Sequence, residues 1–380
     1  MSEDAYFLYH ALGQYPGKAE DMATAMTAFA EVWAAPNDAQ WGYALGERAR
    51  FINLWTDLIS AADGTVTTCE SVTAGLSSLM GALPARDLKG KKVLVAADCF
   101  PSNHFLLTGL AERIGFDLVT VPLRQGATWV EDEDMIARWD DQVGLALLTW
   151  VSSTASRRCD LAALVAHGRA QGSTIGVDIT QAAGLLPFDV MEPQVDFAIS
   201  TSLKWMCGTP GAGILYVAPA LIERAKPTLR GWFSQDNPFS WDLGAFQFAP
   251  DIRRFDSGTP SIVACAASVR AMEWHARQDK ADLLAHNRTL CAQIIEGAQT
   301  LGLDFASPLD PEARGGSVMF RLPADIPGAD AVAFLKENGC MVDARGQTLR
   351  ASPGVVTNAE GVAVLLDGLG RLMSLRQRRA

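Results

Sequence analysis

GVDITQAAGLLPFDVMEPQVDFAISTSLKWMCGTPGAGILYV, residues 176–217, holds two short apolar runs that each end in chemistry. The first, IGVD, stops at Asp178. The second, VDFAIS, runs into Thr201, Ser202 and Lys204, and a GTPGAG turn then leads to a third run, ILYV. Such runs read as buried strands, and polar residues at strand tips are where α/β proteins put their sites. A lysine and a carboxylate presented in this way suit pyridoxal phosphate (PLP). The lysine forms the Schiff base, and the carboxylate keeps the pyridinium nitrogen protonated so that the ring accepts electrons. A structural ion pair is the competing reading of the same two residues.

The pattern extends outward from this stretch. KVLVAAD, FDLVTVPL and VGLALLTWVSS are further apolar runs separated by helical segments. Near-continuous apolar strands alternating with helices predict a mostly parallel sheet covered on both faces. Upstream, TVTTCESVTAGLSSLMGAL passes from a β-branched run into a helix at Ser71, Val72 and Thr73. Free N–H groups at a helix start bind phosphate well, although this segment alone reads first as a plain N-cap. Phe100, at the tip of KVLVAADCF, is either core or a surface for stacking a planar cofactor. YFLYHALGQYPG, residues 6–17, reads as a short strand and turn, with His10 either structural or facing a site. Beyond about residue 270 the strands and helices alternate on a smaller scale. The expected division is an N-terminal arm (1–20) joining the small domain, a large domain (21–270) and a small C-terminal α+β domain (271–380).

Composition narrows the function classes. The 380 residues are 49% hydrophobic, enough for a sizeable core, and carry a formal net charge of -11. Such a balance gives no general attraction to nucleic acid or anionic membranes, and neither is expected as a partner. The first ten residues, MSEDAYFLYH, are acidic where a signal peptide is basic, and no apolar run approaches the roughly 18 residues of a spanning helix; a cytoplasmic protein is expected. Seven cysteines without a CxxC pair and five histidines without HExxH spacing predict neither a disulfide framework nor a metal site.

Five segments in order, VDITQAAG, DFAISTSLKWMCGTPGAGILYV, RGWFSQDNPFSWD, RRFDSGTPS and TLRASP, resemble successive motifs of the PLP-dependent class V aminotransferase superfamily. That fold-type I group includes cysteine desulfurases and kynureninases. The resemblance implies a large domain with a seven-stranded, mostly parallel sheet sandwiched by helices, and a small C-terminal α+β domain. It implies PLP as cofactor, with Lys204 as the aldimine lysine and Asp178 at the pyridine nitrogen. Gln181 matches the contact to the ring hydroxyl and Phe100 the stacking position. Val72 and Thr73, with Ser71 adjacent, match the phosphate turn, and Thr201 matches a second phosphate contact. Thr259 matches a residue that reaches the phosphate of the neighbouring subunit, which implies a homodimer with shared active sites. Trp232 matches a GW motif bordering cofactor and substrate. Arg350 matches the arginine that clamps the substrate α-carboxylate, a task suited to a guanidinium fork.

The resemblance implies an enzyme that takes a proton from the Cα of an amino acid. Kynureninase-like hydrolytic C–C cleavage or β-lyase chemistry is the expected outcome. A class V aminotransferase producing a keto acid, and a PLP-binding scaffold with little catalysis, are the alternatives. Two departures bear on the choice. Leu203 stands where relatives commonly place Tyr or His, which weakens a strict kynureninase assignment, and Arg345–Arg350 lacks the cysteine of a sulfur-relay desulfurase. Trp150, Trp205, Trp232 and Phe233 either welcome an aromatic substrate or pack internally. Arg157 and Arg158 either read a second acidic group or are surface charges.

Overall fold

The computed structural model describes residues 5–377, so residues 1–4 of the expected N-terminal arm and 378–380 lie outside the described residues. Seven strands form the large sheet: β1 (Val66–Cys69), β2 (Lys92–Ala96), β3 (Asp117–Val121), β4 (Val143–Thr149), β5 (Thr174–Asp178), β6 (Phe197–Thr201) and β7 (Gly213–Val217). Their spatial order is β1-β7-β6-β5-β4-β2-β3. β2 to β6 run parallel, and β7 runs antiparallel to both its neighbours.

The strands are apolar on both faces because both are covered. Successive residues alternate between two cores: Val93, Val95, Leu145, Leu147, Phe197 and Ile199 enter one, and Leu94, Ala146, Leu148, Ile175, Val177 and Ala198 the other. Gly176 lies between strands where no side chain fits, since a Cβ there would come within 1.8 Å of the Phe197 ring. The helix Val263–Ala276 buries Cys265, Val269 and Met272 in the large core.

A second sheet, antiparallel throughout, has the order β10-β11-β9-β8. Its strands are β8 (Asp304–Phe305), β9 (Val318–Arg321), β10 (Asp343–Arg345) and β11 (Thr348–Ala351). The helices Lys280–Thr300, Gly328–Glu337 and Ala359–Gln377 supply its core with Leu290, Ile294, Leu335 and Leu365. The arm joins this core through Ala5 and Phe7. Where a short strand is predicted, Tyr6 and Leu8 make only isolated parallel bridges, to Met341 and Ser352. Among the described residues no helix is long and apolar enough to cross a membrane, and no group of three or more His, Cys, Asp or Glu is arranged to hold a metal ion.

Candidate active site

The parallel strands end on one side of the sheet, and a cavity of about 310 Å³ opens there. Thr149, Asp178 and Thr201 close β4, β5 and β6 and reach it side by side. Two helix starts complete the wall. Ser71 caps Val72–Met80 by accepting the Ala74 N–H at 3.1 Å, and Phe100 precedes Pro101–Ile114. The N-cap reading of Ser71 therefore holds, and the N–H groups of the first turn have no intrahelical partner, so the cap leaves an anion free to bind there.

The cavity gathers Ser71, Val72, Thr73, Phe100, Asp178, Gln181, Thr201 and Lys204 into one wall. Phe100 is 43% exposed, which sets it at the surface of the site and not in the core. Lys204 Nζ lies 5.5 Å from the centre of its ring. Asp178 is buried, its Oδ1 accepting the Thr180 N–H at 3.0 Å and its Oδ2 accepting Asn103 Nδ2 at 2.9 Å. It forms no ion pair within 4.0 Å among the described residues, so the ion-pair reading of Asp178 and Lys204 does not apply. Burial pushes the Lys204 ammonium down to about 8, Asp178 opposing and Arg350 adding to the shift.

At pH 8 about half of Lys204 is free amine, whereas a lysine of ordinary pKa near 10.5 is charged in more than about 99% of molecules. Acetylation of Lys204 in apoprotein, followed by mass spectrometry against pH, should therefore rise with an inflection near 8. An inflection above 10 contradicts this environment.

The lysine is placed from behind by the N-terminal arm. Gly13 N–H donates to the Leu203 carbonyl at 2.9 Å, and a Cβ on Gly13 would lie 1.8 Å from the Lys204 carbonyl oxygen. Tyr9 stacks on Trp205 at 5.5 Å. Because the obstruction at Gly13 is backbone, Gly13→Ala should destabilise the fold by about 1–3 kcal/mol or more and weaken cofactor retention. A wild-type melting temperature and PLP affinity would contradict the close approach.

Three expected site residues do not line this cavity. Trp232 sits in a short 3₁₀ turn against Phe233 and the edge of Trp41. Thr259 is exposed beside an adjoining cavity that shares Glu70 and Gly211 with the first. Arg350 is buried on β11, with Nη1 donating to the carbonyl of the cavity-lining Ser153 at 2.9 Å. Of the aromatic residues, Trp150 and Trp205 are core: the first packs on Phe188, the second on Tyr9. Arg157 forks onto Asp132 at 2.6 and 2.7 Å, and Arg158 pairs with Glu312 at 3.2 Å, so both guanidinium groups are engaged by the protein.

Asn103 escapes the sequence reading. It is the third residue of its helix, three positions on from Phe100, and its side chain reaches Asp178 at the tip of β5. Its Nδ2 faces the carboxylate because only the amide can donate there. The Thr149 and Thr180 hydroxyls in the cavity wall and Asn103 Oδ1 are buried without a hydrogen-bond partner. Unpaired buried polar atoms around a carboxylate that has no ion-pair partner suit a polar ligand.

The donor set fits PLP: a buried carboxylate without an ion-pair partner for the pyridine nitrogen, a lysine of lowered pKa, an aromatic face and a helix start for phosphate. The volume lies within the ~300–1,000 Å³ typical of small-molecule sites. Comparisons with known proteins agree. A cysteine desulfurase from Thermococcus onnurineus superposes with a TM-score of 0.86 over 98% of this chain and 95% of its own, at 19% identity, and shares the fold. A kynureninase from Deinococcus radiodurans is 30% identical over 365 residues, covering 87% of this chain and 84% of the relative. An uncharacterised aminotransferase from Bacillus subtilis is 26% identical over 332 residues, 86% of this chain and 84% of that one. The family model for class V aminotransferases matches residues 53–362. The chain therefore belongs to the class V aminotransferase family, as a PLP-dependent enzyme of fold-type I.

Proposed function

We propose that this enzyme acts on an amino acid by kynureninase-like hydrolytic cleavage of the Cβ–Cγ bond, releasing alanine and a carboxylic acid. The observation that carries this reading is the 30% identity to a kynureninase along 84% of that relative. The thiols support it by elimination of a sulfur relay. No cysteine is exposed among the described residues, and burial pushes Cys99, Cys159, Cys207 and Cys340 up to about 12.

PLP bound at the strand tips supplies an electron sink for charge developing at the substrate Cα. In this reading Lys204 holds the cofactor and then, as a free amine, takes the Cα proton, work that its lowered pKa suits near neutral pH. Asp178 fixes a proton on the pyridine nitrogen, and Asn103 fixes Asp178. Phe100 stacks on the ring and Gln181 faces its hydroxyl. Ser71, Val72, Thr73 and Thr201 receive the phosphate, and Arg350 binds the α-carboxylate near Ser153.

Thr259 and Trp232 serve the site of a second copy in this reading, with the arm, the large layer and the small layer as separate domains in each. Exposed Phe239, Trp241 and Leu243, which follow Trp232 in the sequence, supply an apolar surface for such a homodimer.

The test mixes cofactor-loaded protein with L-kynurenine, cysteine derivatives and L-alanine, and identifies products. Alanine plus anthranilate is expected from kynurenine. Pyruvate and ammonia from a cysteine derivative would favour β-elimination. Pyridoxamine phosphate with a keto acid would favour the aminotransferase reading, to which the Bacillus subtilis relative lends weight.

A further inference from the structure

A largely buried polar chain, with only Asp343 half-buried, joins the N-terminal arm to the small sheet and touches the cavity at both ends. Asp343 and Arg350 face each other across the β10-β11 pair. The Asp343 carboxylate receives Arg350 Nε at 2.8 Å and Nη2 at 2.5 Å, a two-point fork. His10 Nε2 lies 2.8 Å from the same Asp343 Oδ1, and His10 Nδ1 lies 2.6 Å from Ser352 Oγ, itself 2.5 Å from Ser317 Oγ. The His10 carbonyl accepts Gln181 Nε2 at 3.1 Å. Gln181 and Ser153 both line the cavity.

The chain has a single polarity. Burial pushes His10 down to about 4, so its ring is neutral at pH 7. Burial alone would raise Asp343, but the hydrogen bonds from His10 and Arg350 outweigh it and hold the carboxyl well below the usual range. An ionised carboxylate only accepts, so His10 carries its proton on Nε2, and its bare Nδ1 takes the Ser352 hydroxyl. The Arg350 edge formed by Nε and Nη2 is thereby filled. Its other edge, Nη1 and Nη2, keeps N–H groups beyond the one given to Ser153.

We propose that Asp343 and His10 are positioning residues for substrate binding: Asp343 fills the inner edge of the Arg350 guanidinium, leaving the outer edge beside Ser153 for an amino-acid carboxylate, and His10 locks Asp343 in place. This inference rests on the reading of Arg350 as the carboxylate-binding group. His10 is bonded toward both contacts, its backbone carbonyl accepting from Gln181 and its ring holding Asp343.

The experiment titrates cofactor-loaded protein with L-alanine and with ethylamine, its analogue lacking the carboxylate, and reads apparent affinity from the visible spectrum. In Asp343→Asn, L-alanine should weaken at least fivefold more than ethylamine, and in His10→Asn, which leaves the Asp343–Arg350 fork in place, at least twofold more. PLP affinity of the Asp343→Asn apoprotein, read by fluorescence quenching, should stay within threefold of wild type. A smaller selective loss, equal weakening of both amines, or a larger fall in PLP affinity overturns the proposal. If Asp343→Asn does not fold, His10→Asn decides alone. Arg350→Lys separates the two levels. If it keeps wild-type discrimination between the amines, the carboxylate reading of Arg350 fails; if it loses discrimination while Asp343→Asn and His10→Asn keep it, only the positioning role fails.

Discussion

Replacing Lys204 by Ala abolishes the visible absorption band of the PLP-loaded protein and lowers turnover by at least about a thousandfold. The prediction rests on one amine having two tasks, holding the cofactor and moving the Cα proton. Among the described residues no other lysine lines the cavity. Lys204 has no ion-pair partner within 4.0 Å among the described residues, and its Nζ lies 5.5 Å from the centre of the Phe100 ring. Removing a partly desolvated charge of this kind costs little folding stability. Lys204→Ala should therefore melt within a few degrees of wild-type apoprotein, which separates lost chemistry from lost fold. A variant that retained the band would move the covalent site elsewhere.

Asp178→Asn has the second largest expected effect, a loss in turnover of about 10²–10³-fold, the scale on which single preorganised electrostatic groups act. Asparagine keeps the shape but not the charge. It also sets an amide against the donors that Asp178 now accepts, Asn103 Nδ2 and the Thr180 N–H. A second signature follows in apoprotein. The Asp178 charge raises the Lys204 pKa against the burial that lowers it to about 8, so Asp178→Asn should move the Lys204 labelling inflection to lower pH. Unchanged turnover with an unchanged inflection would remove Asp178 from the site.

The site is partly legible in the sequence, for reasons that differ by residue. Asp178 and Lys204 stand out because each ends an apolar run, and β5 and β6 bring those ends together by parallel pairing. The sheet follows from the same runs, whose alternate residues enter two cores. Phe100 and Ser71 on their own are indistinguishable from core and cap; their neighbours in the cavity wall give them meaning. Asn103 leaves only a helical spacing from Phe100, which a surface asparagine would share. Arg157 looks like a ligand-reading residue until Asp132, 25 positions away, fills its fork. His10 and Asp343 lie 333 residues apart, and no local pattern predicts that they meet. Local periodicity reports strands and helices; long-range pairing decides which polar tips share a pocket.

The most direct test of the central claim is to load the protein with PLP, reduce it with borohydride, digest it and locate the cofactor by mass spectrometry. The pyridoxyl group is expected on the peptide containing Lys204, with none on that peptide in Lys204→Ala. A label on another lysine, or a wild-type protein that takes up no PLP, would contradict it.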